Sequence, residues 1–341
     1  MLQSVAFVAD RKGKSIAYAS VGRGRPLVCD TGFISHLEAQ WEYAPYRRFF
    51  EALAHSHRVI RYDPPGIGLG DPLGEVVDLE DDVAVLEDLI DGLALGDCDL
   101  FGASQAAAVM IAYAARHPER VGRVVLFGGY ANGAALSPPA VQEALLRLIE
   151  AHWGMASKTL ADIFMRGADD AAQANWARTT RLAATPVAAV RRMRECFRTD
   201  VRPLLRQVAA PTLVLHRRSD VNVRVEHGVE LAAGIPGAQL ILLDGESHLW
   251  FVGDMESVLN RPRVPGRQAP AASSGCRAVA TRTSGGRSDR RRAQQRRGGL
   301  AAPDFDQDSR GARRAHPGQA GLSVALANRC LVGGASGGRN R

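Results

Sequence analysis

The sequence predicts an α/β fold: a doubly wound, mostly parallel sheet carrying a helical insertion. Three observations predict it. Short β-rich apolar runs alternate with longer segments of helical spacing. One such run, Asp99-Leu100-Phe101, passes through Gly102-Ala103-Ser104-Gln105-Ala106 directly into an alanine-rich helical stretch. The alternation lapses between about residues 133 and 208, where helical segments follow one another with no strand between them.

In chain order, two opening strands are predicted at residues 5–8 and 15–21, separated by the turn Asp10-Arg11-Lys12-Gly13. A third, at 26–30, leads into Thr31-Gly32-Phe33. Residues 49–54 carry apolar side chains at helical spacing. The strand at 58–62 ends in the rigid polar turn Asp63-Pro64-Pro65-Gly66. Residues 79–95 form a strongly amphipathic helix with Val83, Leu86, Leu89, Ile90 and Leu93 on one face. The strand before Ser104 enters a helix over 105–117, stopped by Pro118, and 123–127 is the strand that follows. The insertion reads as helices at 139–153, 157–166, 171–182 and 186–196. Strands at 212–216 and 239–243 flank a helix at 225–233, and a last helix is expected over 249–260.

The corner at Ser104 carries the chemistry. A serine hydroxyl is a poor nucleophile unless it is exposed, held rigidly and placed next to a base. A strand-to-helix corner supplies the exposure and points the first helical N–H groups at any oxyanion that forms. Strand and helix nearly touch there, so small residues are needed on both sides. Gly102 and Ala106 meet that need in a G-x-S-x-A pattern, one methyl group away from the usual G-x-S-x-G.

A corner of this kind predicts an acid and then a histidine, each just after a later strand. The strand at 212–216 is followed by Arg217-Arg218-Ser219-Asp220, and the strand at 239–243 by Asp244-Gly245-Glu246-Ser247-His248. Taken alone, Asp220 would be a loop-capping aspartate and His248 a surface histidine. Their order after Ser104, both at strand C-terminal ends where open parallel sheets build their sites, makes them the candidate acid and base. The strand at 123–127 runs into Gly128-Gly129-Tyr130 with no carboxylate. Asp244 and Glu246 lie too close in sequence to His248 to brace its far ring nitrogen. The oxyanion donors are assigned to the backbone N–H groups of Phe33 and Gln105; the plainer alternative at Gly32 is an ordinary turn.

The net charge of +7 is unevenly spread. Residues 261–341 hold seventeen arginines, no lysine and four acids, which leaves residues 1–260 near −6. The body is therefore mildly acidic, and neither nucleic acid nor a membrane is expected as its partner. The five cysteines, Cys29, Cys98, Cys196, Cys276 and Cys330, are widely spaced with no C-x-x-C pair. They imply neither a disulfide framework nor a zinc site. The first fourteen residues lack an apolar run of signal-peptide length, and a cytoplasmic location is expected.

The stretch 261–341 is rich in Arg, Gly and Ala and contains no Lys, Glu, Ile, Met, Tyr or Trp. It cannot bury enough apolar area to offset its ordering entropy, so a disordered tail is expected. The missing residue types largely have A/T-rich codons, as expected of GC-rich DNA translated out of frame.

Several stretches together resemble the α/β-hydrolase superfamily, most closely the bacterial serine-hydrolase modules fused to class III adenylate cyclases. They are His36-Leu37-Glu38 with Trp41-Glu42, Arg61-Tyr62-Asp63, Gly102-Ala103-Ser104-Gln105, the run from Ile111 to Val121 including His117-Pro118-Glu119-Arg120, Phe127-Gly128-Gly129-Tyr130-Ala131, Ile235-Pro236-Gly237-Ala238, and Gly245 with His248. The resemblance covers about residues 1–260. It implies an α/β-hydrolase fold with a helical cap at about 133–208 and serine esterase or lipase-like activity. It also implies a small-molecule ester substrate, with neither cofactor nor metal. Ala106 departs from the pattern, and no cyclase signature follows the hydrolase region. A ligand-binding sensor on the same fold with little turnover is the alternative. A nucleic-acid protein using the basic tail is a more distant one.

Overall fold

The structure is a computed structural model that describes residues 1–72 and 78–260. The Arg/Gly/Ala-rich stretch at 261–341, and with it the out-of-frame reading, lies outside the described residues.

Eight strands form one sheet: β1 (Ser4–Ala9), β2 (Ser15–Val21), β3 (Arg25–Asp30), β4 (His57–Asp63), β5 (Cys98–Ala103), β6 (Val121–Phe127), β7 (Thr212–Arg217) and β8 (Gln239–Leu243). Their spatial order is β1-β2-β4-β3-β5-β6-β7-β8. β2 pairs antiparallel with β1 and β4, and every other pairing is parallel. The chain steps outward from β3 to β4 and then returns to lay β5 on the other side of β3. β3 and β5 are thus neighbours whose connections leave in opposite directions. That switch point opens a crevice at their C-terminal ends, where Thr31-Gly32-Phe33 and Ser104 lie.

Helices α1 (Leu37–Glu42) and α2 (Ala44–Ala54) follow β3, α3 (Leu79–Gly92) precedes β5, and α4 (Ala106–Arg116) joins β5 to β6. Four helices lie between β6 and β7: α5 (Pro139–Ala151), α6 (Trp153–Phe164), α7 (Asp170–Ala183) and α8 (Pro186–Arg198). α9 (Val225–Gly234) joins β7 to β8, and α10 (Glu256–Leu259) is the last described element. Among the described residues no helix is long and apolar enough to cross a membrane.

The strands alternate as a period of two requires. Leu100, Val124, Leu126 and Val214 face one core with Leu86, Ile90 and the buried α4. Phe101, Ala103, Phe127, Leu213 and Leu215 face the other with Phe49, Phe50 and Trp250. Both faces are covered, so the central strands read as continuous apolar runs. α4 is buried all round from Ala106 to Ala114, which explains its near-unbroken string of small and apolar residues. At the start of α3 the Asp78 side chain accepts from the Asp81 N–H at 2.9 Å. Glu80, Asp81 and Asp82 occupy the first turn, where the helix dipole favours acids.

Several helix boundaries differ from expectation by a few residues, and two of the differences have a visible cause. α3 stops at Gly92 rather than Leu95, because Ala94 turns left-handed at φ +49° and the Leu95 N–H returns to the Ile90 carbonyl. The last helix, expected over 249–260, is helical only over Glu256–Leu259. The carbonyls of Leu249 and Val252 accept from the buried Arg217 guanidinium, and Gly253 adopts φ +74°. Both features withdraw the segment from a regular helix.

Trp250 sits among Phe49, Phe50, Phe101, Phe127 and Phe251, with ring centroids 5.1–6.5 Å away. Among the described residues its indole N–H has no hydrogen-bond partner. Trp250→Ala is expected to lower the unfolding free energy by about 3–5 kcal/mol in urea denaturation. Trp250→Phe keeps a ring and removes the unpaired N–H, and is expected to cost less than half as much.

Candidate active site

β5 is buried along its whole length and delivers Ser104 at φ +56°. A left-handed backbone at a residue with a Cβ costs roughly 1–3 kcal/mol and persists only where its surroundings enforce it. They do so here. The Ser104 N–H donates to the Phe127 carbonyl at 2.9 Å, and the Ala107 N–H donates to the Ser104 carbonyl at 3.1 Å. A Cβ at Gly102 would stand 2.7 Å from Met110 Cγ and 2.9 Å from the Ala106 carbonyl oxygen. The methyl of Ala106 itself is fully buried, so the departure from G-x-S-x-G is accommodated within the corner.

The loop after β3 closes against this corner. Gly32 adopts φ +92°, its N–H donates to Asp30 Oδ1 at 3.0 Å, and a Cβ there would meet the Ala103 carbonyl oxygen at 2.7 Å. Only glycine fits that approach. Gln105 has helical backbone just ahead of α4. The backbone N–H groups of Phe33 and Gln105, the two donors expected from the sequence, take no partner among the described residues.

The structure brings Asp220 and His248 together at the ends of β7 and β8. His248 Nδ1 and Asp220 Oδ2 are 2.7 Å apart, and both side chains are almost wholly buried. The other Asp220 oxygen accepts from the N–H groups of Asn222 at 2.9 Å and Val223 at 3.1 Å. Burial alone would push this carboxyl up. The charge and hydrogen bond of His248 outweigh that and hold it below the usual aspartate value. An ionised carboxylate only accepts, so Nδ1 carries a proton, and in the neutral form of the ring Nε2 presents its lone pair. Nε2 is buried and has no hydrogen-bond partner among the described residues. The Gly128-Gly129 pair separates the histidine from the corner. A Cβ at Gly128 would lie 3.1 Å from His248 Cε1, and one at Gly129 would lie 3.7 Å from the Ser104 carbonyl oxygen. Asp244, the neighbouring acid, is exposed, and its only ion-pair contact among the described residues is 3.8 Å to Arg218.

One residue that sequence reasoning missed orders this region. Arg217 is buried at the end of β7, and its Nη1 donates to the carbonyls of Ser247 at 3.0 Å and Leu249 at 3.1 Å. Its Nη2 donates to the Val252 carbonyl. It therefore grips the chain on both sides of His248. A charge closing an otherwise apolar buried run was the available signal. On the other side, the Ser247 hydroxyl and the His248 N–H both donate to the Phe164 carbonyl at the end of α6, at 3.0 and 2.9 Å. His216 Nε2 lies 2.7 Å from the Val223 carbonyl oxygen and ties down the loop that holds Asp220.

A cavity of about 220 Å³ opens over Ser104. Its walls come from Phe33, from Leu145, Leu160, Phe164 and Met193 of the insertion, and from the loop 221–223 beside Asp220. Among the described residues its lining contains no lysine, arginine or histidine.

Residues 29–261 match the Alpha/beta hydrolase family. The chain belongs to that family. It is 29% identical over 235 residues to 2-hydroxy-6-oxo-6-phenylhexa-2,4-dienoate hydrolase of Burkholderia cepacia, a match covering 63% of this chain and 79% of that protein. It is 30% identical over 244 residues to 2-hydroxy-6-oxononadienedioate/2-hydroxy-6-oxononatrienedioate hydrolase of Cupriavidus pinatubonensis, covering 64% and 79%. Among solved structures, the enol-lactonase from Burkholderia xenovorans LB400 superposes with a TM-score of 0.66 at 20% identity, covering 74% of this chain and 96% of that one. The Exiguobacterium antarcticum esterase does so at 0.65 and 19%, covering 75% and 97%. These likenesses establish the hydrolase family and its fold. They do not extend to the cyclase-fused subgroup that the motifs resemble.

Two measurements follow from the buried charges. Arg217→Met leaves three carbonyls around His248 without their donor and is expected to cost on the order of 2–4 kcal/mol in urea unfolding. Asp30, behind the Gly32 loop, is pushed up by burial to about 6 despite its hydrogen bonds from Tyr62 and Gly32. Between about pH 4 and 6 the unfolded chain therefore releases a proton that the folded chain keeps, and stability falls as pH rises. Asp30→Asn is expected to remove that fall, on the order of 1–3 kcal/mol, in melting curves taken from pH 4 to 8.

Proposed function

We propose that this protein is a serine hydrolase that cleaves carboxylic esters through an acyl-enzyme intermediate. One observation carries the proposal: a buried His248–Asp220 pair after β7 and β8, on the same edge of the parallel strands as a serine held in a left-handed corner after β5. Ser104 Oγ attacks the ester carbonyl while His248 Nε2 takes its proton. The developing oxyanion is met by the open N–H groups of Phe33 and Gln105. His248 then protonates the leaving alcohol. Water, activated by the same nitrogen, releases the acid and restores the serine. Asp220 fixes the tautomer and stabilises the imidazolium.

The cavity supports a substrate class. An apolar cavity of about 150 Å³ takes benzene. A volume of about 220 Å³ with Leu145, Leu160, Phe164 and Met193 in its walls fits a neutral acyl group of phenylacetyl or hexanoyl size.

The likeness in sequence to dienoate hydrolases favours a second reading, carbon–carbon bond hydrolysis. A dienoate brings a carboxylate, and the cavity lining offers it no cation, so the ester reading is preferred. A panel of p-nitrophenyl esters set beside a 2-hydroxy-6-oxo-dienoate discriminates the two. Faster turnover of the dienoate would overturn ester hydrolysis, and no turnover of either would favour a sensor.

Ser104→Ala is expected to abolish ester turnover by several orders of magnitude with the circular dichroism spectrum unchanged. Asp220→Asn is expected to cost on the order of 10⁴ in kcat, whereas Asp244→Asn is expected to stay within about twofold because that side chain is solvent-exposed. Turnover persisting in a clean Ser104→Ala preparation would place the nucleophile elsewhere.

A further inference from the structure

A second, much smaller cavity lies behind the two oxyanion donors. It measures about 10 Å³, and Gly32, Phe33 and Gln105 border it together with Asp30, Asp82 and Arg192. Arg192 comes from α8, so the insertion delivers a guanidinium into the body. Arg192 Nη1 donates to Asp82 Oδ1, and both side chains are buried. The other Asp82 oxygen receives Gln105 Nε2 at 3.4 Å. Asp30 accepts from the Gly32 N–H at 3.0 Å and from the Tyr62 hydroxyl at 2.7 Å. Each carboxylate therefore touches one of the two segments that present an oxyanion donor.

Two carboxylates here pose an electrostatic difficulty. A space of this size holds at most about one water, so solvent does little to screen them. Their negative potential falls where the reaction itself develops negative charge. A donor array helps only if its surroundings do not oppose the charge it is meant to stabilise. Burial raises Asp30 to about 6, so that carboxylate is ionised in mildly alkaline solution. Arg192 is the cation beside them.

We propose that Arg192 is a positioning residue of the oxyanion hole, a cation supplied by the helical insertion that offsets the Asp82 and Asp30 carboxylates behind Phe33 and Gln105. The inference rests on the serine-esterase reading above. Arg192 touches no substrate. It acts by keeping the Asp82–Gln105 contact in place and by cancelling one negative charge. The neutral ester ground state is nearly indifferent to that charge, whereas the anionic tetrahedral state is not. Losing Arg192 therefore lowers kcat and leaves KM almost unchanged. A purely structural ion pair would behave differently: removing either partner would be equivalent, and a displaced insertion wall would raise KM.

The test is steady-state hydrolysis of p-nitrophenyl hexanoate by the full chain at pH 8, with melting curves for every variant. Arg192→Gln is expected to lower kcat about tenfold or more, less than deletion of a direct oxyanion donor, with KM within about twofold. Arg192→Lys and Asp82→Asn, which keep or reduce the negative charge, are expected within about threefold of the wild-type kcat. Combining Arg192→Gln with Asp82→Asn is expected to restore most of the loss, because the carboxylate that Arg192→Gln leaves uncompensated is then neutral. A folded Arg192→Gln with wild-type kcat, a loss confined to KM, or a folded double variant as slow as Arg192→Gln would each overturn the proposal. Should Arg192→Gln fail to fold, a tenfold loss in Arg192→Lys or Asp82→Asn overturns it, and retention in both supports it. Ser104→Ala on the same substrate separates the two readings: turnover surviving there refutes the serine mechanism whatever Arg192 does.

Discussion

The approach of β5 to α4 across Ser104 and Gln105 sets the terms for the rest of the site. A strand and a helix joined through a left-handed residue leave no room for side chains between them. Gly102 faces Met110 and the Ala106 carbonyl, Gly32 faces the Ala103 carbonyl, and a Cβ at Gly129 would stand 2.4 Å from the Ala107 methyl. The corner is rigid because each of these approaches is already at contact. That rigidity holds a strained serine in place. It also brings the Gly32 loop and the start of α4 to the same point, so Phe33, after β3, and Gln105, after β5, border one small cavity where the sheet changes direction.

Charge is handled differently on the two flanks of this corner. On one flank Arg217 has no carboxylate within its hydrogen-bonding reach among the described residues and satisfies backbone carbonyls instead. Burial lowers its basicity, and the negative charges of Asp220 and Asp254 oppose that. Its planar fork suits the work, since a lysine ammonium could not span three carbonyls in fixed directions. On the other flank Arg192 meets Asp82 directly. Neither guanidinium lines the cavity over Ser104.

The sheet was largely legible in the sequence because its signals are local. Apolar runs at 58–62, 212–216 and 239–243 fall inside β4, β7 and β8, and the helices of the insertion announce themselves by spacing and by Pro139 and Pro186 at their starts. The order Ser104, Asp220, His248 was legible because chain order and strand ends constrain where such groups can lie. Two kinds of feature were not. The segment after His248 carries helix-compatible residues, yet a guanidinium from another strand takes its carbonyls. That is a tertiary fact no local window contains. Arg192 is one arginine among several in α8. Its burial follows from the face it shares with Ala188, Ala189 and Cys196, and its partner lies 110 positions earlier.

Trp250 stands two residues beyond His248, inside the aromatic cluster that closes the core beneath the sheet. Among the described residues it is the largest of the fully buried side chains. The same short loop therefore carries the ring that would move protons and the ring that dominates the interior. Its indole is a built-in optical probe. Any event that loosens the His248 loop must also change the polarity around that chromophore, so tryptophan emission reports the condition of that loop together with that of the fold. The other three tryptophans, Trp41, Trp153 and Trp176, lie in α1, α6 and α7. Replacing those three with phenylalanine would leave a single emitter whose spectrum follows the site in real time, without a label.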